Sequence, residues 1–394
     1  MTHSRDTKLA HLGRDPHRFA GAVNPPVVRT STVLAPDMAT YETGGRRRYQ
    51  HGETVYGRYG TPTHHALEAA LSELEGAADT FLFPSGLSAI TTALLAVVEH
   101  GDHVLVTDAA YGPTRGFCTG FLARIGVRAT FFDPEVDADG LAALIEPATK
   151  AVVLEAPGSM TFEMPDIPAL AARARDAGLA VLMDNTWATP YGFRPLDHGV
   201  NLSIQAATKY IGGHADVMLG AVSADASWAT ALRRTAYDLG VCAGPDEVYL
   251  ALRGLRTLGV RLRQHQTNAL AVARWLDARP EVDRVLFPAM PGAPGHDIWS
   301  RDFDAACGLF GVVLAQPYSE TALAAMLDHM AVFGIGSSWG GYESLAIACH
   351  PERARAVTAW NAPGPVLRLH VGLEDPDDLI ADLDAGFARL TAAG

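Results

Sequence analysis

The sequence predicts an α/β protein in which a mostly parallel sheet is covered by helices on both faces. Seven short apolar runs, each with a turn signal nearby, lie between residues 80 and 223. Several of the intervals between them hold helix-length apolar patterns, and strands that alternate with helices imply a parallel sheet. The pattern changes beyond about residue 255, and the first 60 residues are polar. We therefore expect an N-terminal arm, a large domain and a smaller C-terminal α/β domain.

The elements of the first two parts follow from these patterns in chain order. Residues 1–60 are rich in Gly, Pro, Arg and Thr and too polar to form a core alone, so we interpret them as an arm. The large domain is predicted over 61–255 and begins with a helix at "PTHHALEAALSELEG", which has proline near its start and glycine after its end. Its strands are predicted at "TFLF", "DHVLVTD", "RATFFD", "KAVVLE", "LAVLMD", "LSIQAA" and "VMLGAVS".

The smaller domain is predicted over 256–394. Helical patterns occur at "NALAVARWLDARPEV", at "ETALAAMLDHM" and after "EDPDD". Strand-like runs occur at "GLFGVVLA" and "VLRLHVG". These elements indicate a second α/β layer rather than a continuation of the large sheet.

Charge and hydropathy argue against several function classes. A net charge of -13, spread without acidic blocks, argues against a nucleic-acid surface, because phosphate binding needs clustered lysine and arginine. The short basic cluster at 46–48 is more typical of a solvated or subunit-facing loop than of a polyanion site. No apolar run approaches the ~18 residues that span a bilayer, and the opening stretch lacks the apolar region of a signal peptide. We expect a cytoplasmic protein.

Cysteine and histidine spacing predicts neither disulfides nor a metal site. The four cysteines lie far apart without a C-x-x-C pair, which is typical of reduced, mostly buried thiols. The adjacent pair His64 and His65 lacks the i, i+4 spacing of helical metal ligands.

Lysine is rare in this chain, and one lysine stands in an unusual setting. Only Lys8, Lys150 and Lys209 occur among 394 residues. The first two lie in ordinary solvated settings, whereas Lys209 lies in the apolar stretch "SIQAATKYIGGHADV". Desolvation lowers the pKa of a lysine and makes its amine nucleophilic, so Lys209 is a candidate Schiff-base residue.

In open α/β sheets ligands bind at the carboxyl ends of the strands, and four such positions carry chemistry here. Gly86 begins a helix whose free N–H groups would hold a phosphate. Tyr111 would stack on a flat heterocycle. Asp184 ends the strand "LAVLMD" and would keep a pyridine nitrogen protonated, and the Thr208–Lys209 pair follows the next apolar run.

Each of these positions also has a purely structural explanation. A serine-glycine helix start without a ligand, a packed loop tyrosine and an aspartate that caps a turn would account for Gly86, Tyr111 and Asp184 separately. Together with Lys209, however, they supply a phosphate turn, an aromatic plate, a carboxylate and an amine. This combination favours a pyridoxal phosphate (PLP) pocket.

A series of motifs extends this interpretation over nearly the whole chain. They are "VYGRYGTPT", "PSGLSA", "DAAYGPT", "MDNTWATP", "SIQAATKYIGGHADV", "GLRTLGVRLRQH", "SSWGGYESL" and "LRLHVGLED". In these motifs the sequence resembles the cysteine and methionine metabolism family of fold-type I PLP-dependent enzymes. Within that family "EAPGSMTFEMPDI" and "LRLHVGLEDPDDLIADLDAGFARL" are most similar to the bacterial cystathionine β-lyases.

The resemblance implies roles for the residues at the matched positions. Lys209 would hold the cofactor covalently, Asp184 would pair with the pyridine nitrogen and Tyr111 would stack on the ring. The phosphate ligands would be Gly86, Leu87 and Thr208, joined from a neighbouring subunit by Tyr56 and Arg58. The arm would thus complete the partner's site, so we expect a catalytic dimer and a homotetramer.

On the substrate side of the site, the resemblance implies that Arg368 binds the α-carboxylate of the substrate. The alternative is that Arg368 forms a structural ion pair. Ser338, Trp339 and Ser159 would line the same side. Many relatives carry a serine where this chain has Ala206, which removes one phosphate contact. Relatives that act at the γ-carbon commonly carry an asparagine at the position of Ser159, and its absence favours β-elimination.

The implied reaction is β-elimination of L-cystathionine to homocysteine, pyruvate and ammonia, a step of methionine biosynthesis. The predicted catalytic residues are Lys209, Tyr56 and Tyr111, with Lys209 moving the proton of the substrate Cα and Tyr56 accepting the proton of the substrate amine. A cysteine desulfhydrase, a γ-lyase and an O-acetylhomoserine sulfhydrylase of the same family remain alternatives. A non-catalytic relative is disfavoured because the lysine, the aspartate and the arginine are all present.

Overall fold

A seven-stranded sheet forms the centre of the larger part of the computed structural model, which describes residues 3–393. Its strands lie in the order β1-β7-β6-β5-β4-β2-β3. The four pairs from β6 to β3 are parallel, whereas β7 is antiparallel to both of its neighbours. The strands are β1 Asp79–Phe83, β2 His103–Thr107, β3 Arg128–Phe132, β4 Thr149–Glu155, β5 Ala180–Asp184, β6 Leu202–Gln205 and β7 Gly220–Ala224. The predicted mostly parallel sheet is confirmed.

Both faces of this sheet are buried, as its continuous apolar runs require. Along β2, Leu105 packs into one hydrophobic cluster while Val104 and Val106 pack into the other. Side chains alternate between the faces of a strand, so the two clusters are the cores on opposite sides of the sheet. The helices of this part are α3 Pro62–Glu75, α4 Gly86–Leu95, α5 Gly112–Phe117, α6 Ala138–Ala143, α7 Ile167–Asp176, α8 Thr189–Gly192, α9 Ala229–Asp238 and α10 Pro245–Leu255.

Local sequence fixes the ends of the helices that border the site. Ser85 caps α4, since its hydroxyl accepts the N–H of Ser88 at 3.1 Å. Pro62 opens α3, and Gly76 follows its end with a φ of 70°, a left-handed conformation that favours glycine. The proline and glycine signals of α3 were readable in the sequence, and the predicted boundaries of this helix agree with the structure.

A four-stranded antiparallel sheet forms the second layer, with strand order β10-β11-β9-β8. Its strands are β8 Val282–Leu286, β9 Leu309–Leu314, β10 Leu345–Cys349 and β11 Val366–His370. Its helices are α11 Leu258–Asp277, α12 His296–Asp302, α13 Glu320–Leu327, α14 Pro351–Ala354 and α15 Pro376–Ala393. The sequence analysis gave β9 and β11 but neither β8 nor β10.

Helix α11 differs most from its sequence-based prediction. It begins at Leu258, ten residues before the predicted start, and ends at Asp277, shortly before Pro280. Arg261, His265 and Asn268 are all buried on its inner face. Polar residues on the buried face hide the apolar period on which the prediction relied.

The arm contains two helices, α1 Arg5–His11 and α2 Met38–Arg47, that were not predicted from the sequence. Arg256, between α10 and α11, donates a hydrogen bond to the carbonyl of Leu12 and so holds the segment after α1. Three apolar side chains of the arm, Leu34, Met38 and Tyr41, are mostly exposed.

Three further observations concern residues 3–393. Over that range no helix has the length and apolarity needed to cross a bilayer. The same residues contain no group of three or more His, Cys, Asp or Glu side chains placed to hold a metal ion. The four cysteines are free, and all except Cys242 are buried.

Candidate active site

A cavity of about 330 Å³ opens at the carboxyl ends of β4, β5 and β6. Its opposite wall consists of β11 and the loop at 336–341. The site residues predicted from the sequence that line this cavity are Gly86, Leu87, Tyr111, Ser159, Asp184, Thr208, Lys209, Ser338, Trp339 and Arg368. Chain segments that are far apart in the sequence therefore meet in one place.

Lys209 lies in the turn after β6, and its amine points into the cavity. Its Nζ donates to the hydroxyl of Ser338 at 2.6 Å and lies 5.2 Å from the centre of the Trp339 ring. Burial, with the charge of Arg368 adding to it, lowers the pKa of Lys209 to about 8. By contrast, Lys8 pairs with Glu73 at the surface and Lys150 is exposed. Lys209 is therefore the lysine whose amine is readily available in neutral form.

Asp184 ends β5 at the bottom of the cavity. One of its carboxylate oxygens accepts both the N–H of Thr186 at 3.0 Å and its hydroxyl at 2.5 Å. The same hydroxyl accepts the N–H of Ala206 at 2.9 Å. Burial raises the pKa of Asp184, while the Thr186 donors and the charge of Lys209 oppose that shift. Thr186 thus links the aspartate to the turn that carries the lysine.

The start of α4 faces that turn at close range. A Cβ atom on Gly86 would lie 2.7 Å from the Cβ of Ala206, so only glycine permits this approach. The first hydrogen bond of the helix runs from the N–H of Ala89 to the carbonyl of Ser85 at 3.1 Å. The N–H groups of Gly86 and Leu87 precede it, donate to no acceptor within residues 3–393 and are placed to bind an anion.

Thr208 lines the cavity, and its hydroxyl also ties the turn of Lys209 to the segment at Leu219. Its hydroxyl accepts the N–H of Leu219 at 3.0 Å and donates to the carbonyl of the same residue at 3.1 Å. The turn of Lys209 is thereby fixed to the chain that enters β7. This geometry leaves one lone pair on the Thr208 hydroxyl rather than a free donor.

Tyr111 lies at the cavity mouth beside a carboxyl group that the sequence analysis missed. The backbone N–H of Tyr111 donates to Glu155 Oε2 at 2.7 Å. Glu155 ends β4 in register with Asp184 on β5, and both side chains line the cavity. Burial and the charge of Asp184 raise the pKa of Glu155 well above its ordinary value. Of the two neighbouring carboxyl groups, Glu155 therefore carries the proton.

Arg368 lies on β11, opposite the strand ends. Its guanidinium donates to the carbonyl of Ser337 at 2.8 Å and lies 3.5 Å from that of Gly336. Within residues 3–393 it takes part in no salt bridge, and burial lowers its pKa. The alternative of a structural ion pair is thus not realised in the part of the chain that the structure describes.

Tyr56 and Arg58 do not line the cavity of their own chain. Tyr56 is 45% exposed and packs against Tyr59 with ring centres 6.2 Å apart. The guanidinium of Arg58 donates to the carbonyl of Tyr237 at 2.9 Å and to the hydroxyl of Tyr59 at 2.7 Å. Within one chain these two predicted site residues remain apart from Lys209.

Besides Glu155, the sequence analysis missed Thr186, Phe162 and Trp187 in the cavity wall. Thr186 had a usable signal, because a threonine two residues after a strand-end aspartate can donate back to the carboxylate. Trp187 is fixed by its indole N–H, which donates to the carbonyl of Leu309 at 2.9 Å. That contact joins the two sheets and has no local sequence signal.

The sequence model of the Cys/Met metabolism PLP-dependent enzymes matches residues 6–388. This chain belongs to that family. Its membership confirms the cofactor that the sequence predicted, and PLP is the group against which the cavity is to be tested.

Proteins that match this chain over nearly their full length carry names of more than one activity. Cystathionine β-lyase of Escherichia coli (strain K12) is 45% identical over 98% of this chain and 98% of its own length. An L-alanine/L-glutamate racemase of Wolbachia pipientis is 38% identical over 97% of this chain and 96% of its own length. The solved cystathionine γ-synthase of Xanthomonas oryzae has a TM-score of 0.90 at 32% identity and covers 100% of both chains. The predicted fold and the predicted similarity to cystathionine β-lyases are confirmed.

The polar groups that line this cavity match the polar groups of PLP. The free N–H groups at the start of α4 suit a phosphate, and the approach that exposes them depends on Gly86. The carboxylate of Asp184 suits a protonated ring nitrogen. The positive charge of that nitrogen would in turn lower the pKa of Asp184, which burial raises. The amine of Lys209 lies in the same cavity. Phosphate, ring nitrogen and aldehyde carbon thus each find a residue of matching chemistry.

Proposed function

We propose that this protein is a carbon–sulfur lyase that cleaves L-cystathionine by β-elimination with PLP. One water is consumed, and the products are homocysteine, pyruvate and ammonia. A single observation carries the proposal. The amine of Lys209, with its pKa lowered to about 8, lies in the same cavity as the guanidinium of Arg368, which makes no salt bridge within residues 3–393. The 45% identity to a cystathionine β-lyase over 98% of the chain supports the choice of substrate.

Lys209 is the proposed proton carrier. Bound PLP supplies the electron sink that makes loss of the substrate Cα proton feasible. Lys209 would hold the cofactor before the substrate arrives, and its released Nζ would then take the Cα proton and deliver it to the departing sulfur. The hydroxyl of Ser338, 2.6 Å from Nζ, orients the amine for this movement. A positioned general acid-base group contributes on the order of 10²–10⁴-fold.

Arg368 is the proposed anchor of the substrate. Two of its N–H groups can hold the α-carboxylate as a fork, while the carbonyl of Ser337 fixes the guanidinium from behind at 2.8 Å. A half-buried guanidinium without an anionic partner is partly desolvated at a cost, and an amino-acid carboxylate would offset that cost. This is the physical reason to expect an amino acid in the cavity.

Ser159 supports elimination at the β-carbon of the substrate rather than at its γ-carbon. Its N–H donates to the carbonyl of Ala109 at 2.9 Å, so its position is fixed next to the loop of Tyr111. Relatives that act at the γ-carbon commonly have an asparagine there, as noted above. A short hydroxyl side chain in its place supports a β-lyase.

The proposal includes a second copy of the chain. Tyr56 and Arg58 would reach the cofactor phosphate of the neighbouring subunit, and Tyr56 would accept the proton of the substrate amine. The exposed apolar residues of the arm, Leu34, Met38 and Tyr41, are consistent with coverage by a partner. We propose a homotetramer of two catalytic dimers, a cytoplasmic location and a division of each chain at residues 60 and 255.

The experiment that tests this function is a product analysis with a matched lysine pair. Purified protein loaded with PLP is incubated with L-cystathionine, and pyruvate, 2-oxobutyrate and homocysteine are measured. We expect equal amounts of pyruvate and homocysteine, and loss of both in Lys209→Ala but not in Lys150→Ala. Formation of 2-oxobutyrate would assign γ-elimination instead, and turnover by Lys209→Ala would overturn the mechanism.

A further inference from the structure

A layer of buried aromatic side chains lies behind Lys209, and the proposed reaction does not use it. Tyr210, His265 and His370 are each at most 1% exposed. The ring centre of His265 lies 5.2 Å from that of Tyr210 and 5.4 Å from that of His370. Burial lowers the pKa of His370 to about 3, so this imidazole is neutral at any working pH. A polar nitrogen of a buried neutral imidazole is costly when it lacks a hydrogen-bond partner, so partners at both nitrogens stabilise the ring.

His370 finds these partners in the loop that faces Lys209. Its Nε2 lies 3.1 Å from the N–H nitrogen of Gly340 and 3.2 Å from the carbonyl oxygen of Gly341, and its Nδ1 lies 3.3 Å from the hydroxyl of Tyr210. With the proton on Nδ1, Nε2 accepts from Gly340; with the proton on Nε2, it donates to Gly341. Either neutral tautomer therefore ties the loop to β11.

Gly340 brings the loop into direct contact with the backbone of Lys209. A Cβ atom on Gly340 would lie 2.9 Å from the carbonyl carbon of Lys209 and 2.9 Å from the nitrogen of Tyr210. Its φ of 88° also lies in the range that favours glycine. Any side chain at position 340 would therefore clash with the backbone of the Lys209 turn, so the loop packs this closely only with glycine there.

The same loop supplies the groups that face the substrate. Ser338 accepts from Lys209 Nζ, and the carbonyl of Ser337 holds the guanidinium of Arg368. Arg368 and His370 are two residues apart on β11, so their side chains project from the same face of the strand. One strand therefore carries both the anchor of the substrate and the residue that fixes the loop around it.

We propose that His370 and Gly340 form a latch that fixes the loop at 336–341 between Lys209 and Arg368. In this account His370 is a positioning residue for the amino-acid substrate, and it touches neither substrate nor cofactor. The proposal rests on the proposed function only in taking an amino acid as the ligand. Loss of the latch weakens binding of the amino acid while leaving cofactor binding intact.

The test compares two neutral replacements that reach different ring positions. Asparagine places its amide near the Nδ1 position, whereas glutamine places its amide near Nε2, where the loop is held. We expect His370→Asn to raise KM for L-cystathionine roughly tenfold, as for one lost hydrogen bond. His370→Gln keeps KM within about threefold, because its amide still pairs with the loop.

His265→Asn is the matched control from the same buried layer. Its Nδ1 lies 2.9 Å from the carbonyl oxygen of Val371, and its Nε2 has no partner among residues 3–393, so His265 makes no hydrogen bond to the loop at 336–341. We expect this variant to lower the melting temperature as His370→Asn does, while KM stays within about twofold. Equal changes of KM in His265→Asn and His370→Asn, or equal impairment of His370→Gln and His370→Asn, would overturn the latch.

A binding measurement separates the latch from the proposed reaction. L-alanine has no group at Cβ that can be eliminated, and its dissociation constant is read from the absorbance of the bound PLP without turnover. His370→Asn should weaken L-alanine roughly tenfold at unchanged affinity for PLP. If the wild type yields no pyruvate from cystathionine, the proposed function fails, yet the L-alanine titration still decides on the latch.

Gly340→Ala tests the second half of the latch, with Gly292→Ala as its control. Gly292 has a φ of 85° and nothing within 4 Å of an added Cβ, so its variant carries the backbone strain without the clash. We expect Gly340→Ala to weaken L-alanine at least tenfold and Gly292→Ala to leave it within about twofold. Equal affinities in the two variants would show that the loop does not bear on Lys209.

Discussion

The two walls of the cavity are built in different ways. The cofactor wall consists of strand ends of the large sheet, and Asp184, Thr186 and Ala206 are joined there by hydrogen bonds across neighbouring parallel strands. The substrate wall consists of β11 and the loop at 336–341. It reaches the cofactor wall through contacts such as Lys209 to Ser338, which joins residues 129 positions apart.

This difference assigns separate tasks to the two walls. Sheet hydrogen bonds fix the cofactor wall before any ligand arrives, so its residues are suited to holding PLP and tuning its charge. The substrate wall is held by a few contacts between the two sheets, so its residues decide how tightly an amino acid is bound. Changes in the first wall should alter the bound cofactor, and changes in the second should alter KM.

Of the substitutions that distinguish the cofactor wall from the substrate wall, Asp184→Asn should have the largest effect on turnover. It removes the charge that is proposed to keep the ring nitrogen protonated, and we expect turnover to fall by roughly 10²-fold or more, as for a lost electrostatic contact to the reacting group. The absorbance spectrum of bound PLP should change with it. An unchanged spectrum and unchanged turnover would remove Asp184 from the cofactor wall.

Arg368→Lys should act on the other wall. A lysine keeps the charge but loses the fork, so KM for L-cystathionine should rise about tenfold to a hundredfold while the spectrum of bound PLP stays the same. Arg284→Lys is the control, because that arginine lies on β8 beside Asp283 with partial exposure. Loss of PLP from Arg368→Lys would contradict the assignment of Arg368 to the substrate wall.

The lowered pKa of Lys209 predicts how fast the cofactor wall captures PLP at different pH. Only the neutral amine reacts, and burial lowers its pKa from 10.5 to about 8. The capture rate of PLP-free protein should rise about tenfold per pH unit below that value and level off above it. Stopped-flow absorbance measures the rate. A rise that continues toward pH 10 would mean that Lys209 is as solvated as an ordinary lysine.

Glu155→Gln should have the smallest effect, although Glu155 is the immediate neighbour of Asp184. Because burial and the charge of Asp184 raise the pKa of Glu155 and so favour its protonated form, a neutral amide keeps that charge state and can still accept the N–H of Tyr111. We expect turnover within about threefold of the wild type, because one neutral hydrogen bond replaces another. A loss comparable to that of Asp184→Asn would show that Glu155 is ionised. The carbonyl stretch of a protonated carboxyl, absent in the variant, gives a second readout by infrared difference spectroscopy.

The two walls also differ in how far the sequence predicts them. Asp184 ends a strand, Gly86 begins a helix and Lys209 lies in the turn after a strand, so local apolar patterns reveal them and the parallel sheet brings them together. Arg368 was named through family resemblance, since a strand arginine alone suggests an ion pair. The roles of Gly340 and His370 depend on contacts between the loop, β11 and the Lys209 turn, which no local pattern carries.

The misses have the same physical basis. Glu155 ends an apolar run as Asp184 does, and parallel neighbours end at one edge of the sheet, so its position was readable from the rule that located Asp184. Helix α11 was cut short in the prediction because Arg261 and His265 are polar residues on a buried face. Burial of polar groups reflects tertiary hydrogen bonding, which hydropathy does not register.

The central claim is that Lys209 is the residue to which PLP is bound, and the rarity of lysine allows a direct test. The PLP-loaded protein is treated with borohydride, which makes the covalent link permanent, then digested and mapped by mass spectrometry. The account predicts the added mass on the peptide that contains Lys209 and none on those that contain Lys8 or Lys150. Label on either of these two peptides, or on no peptide at all, would contradict it.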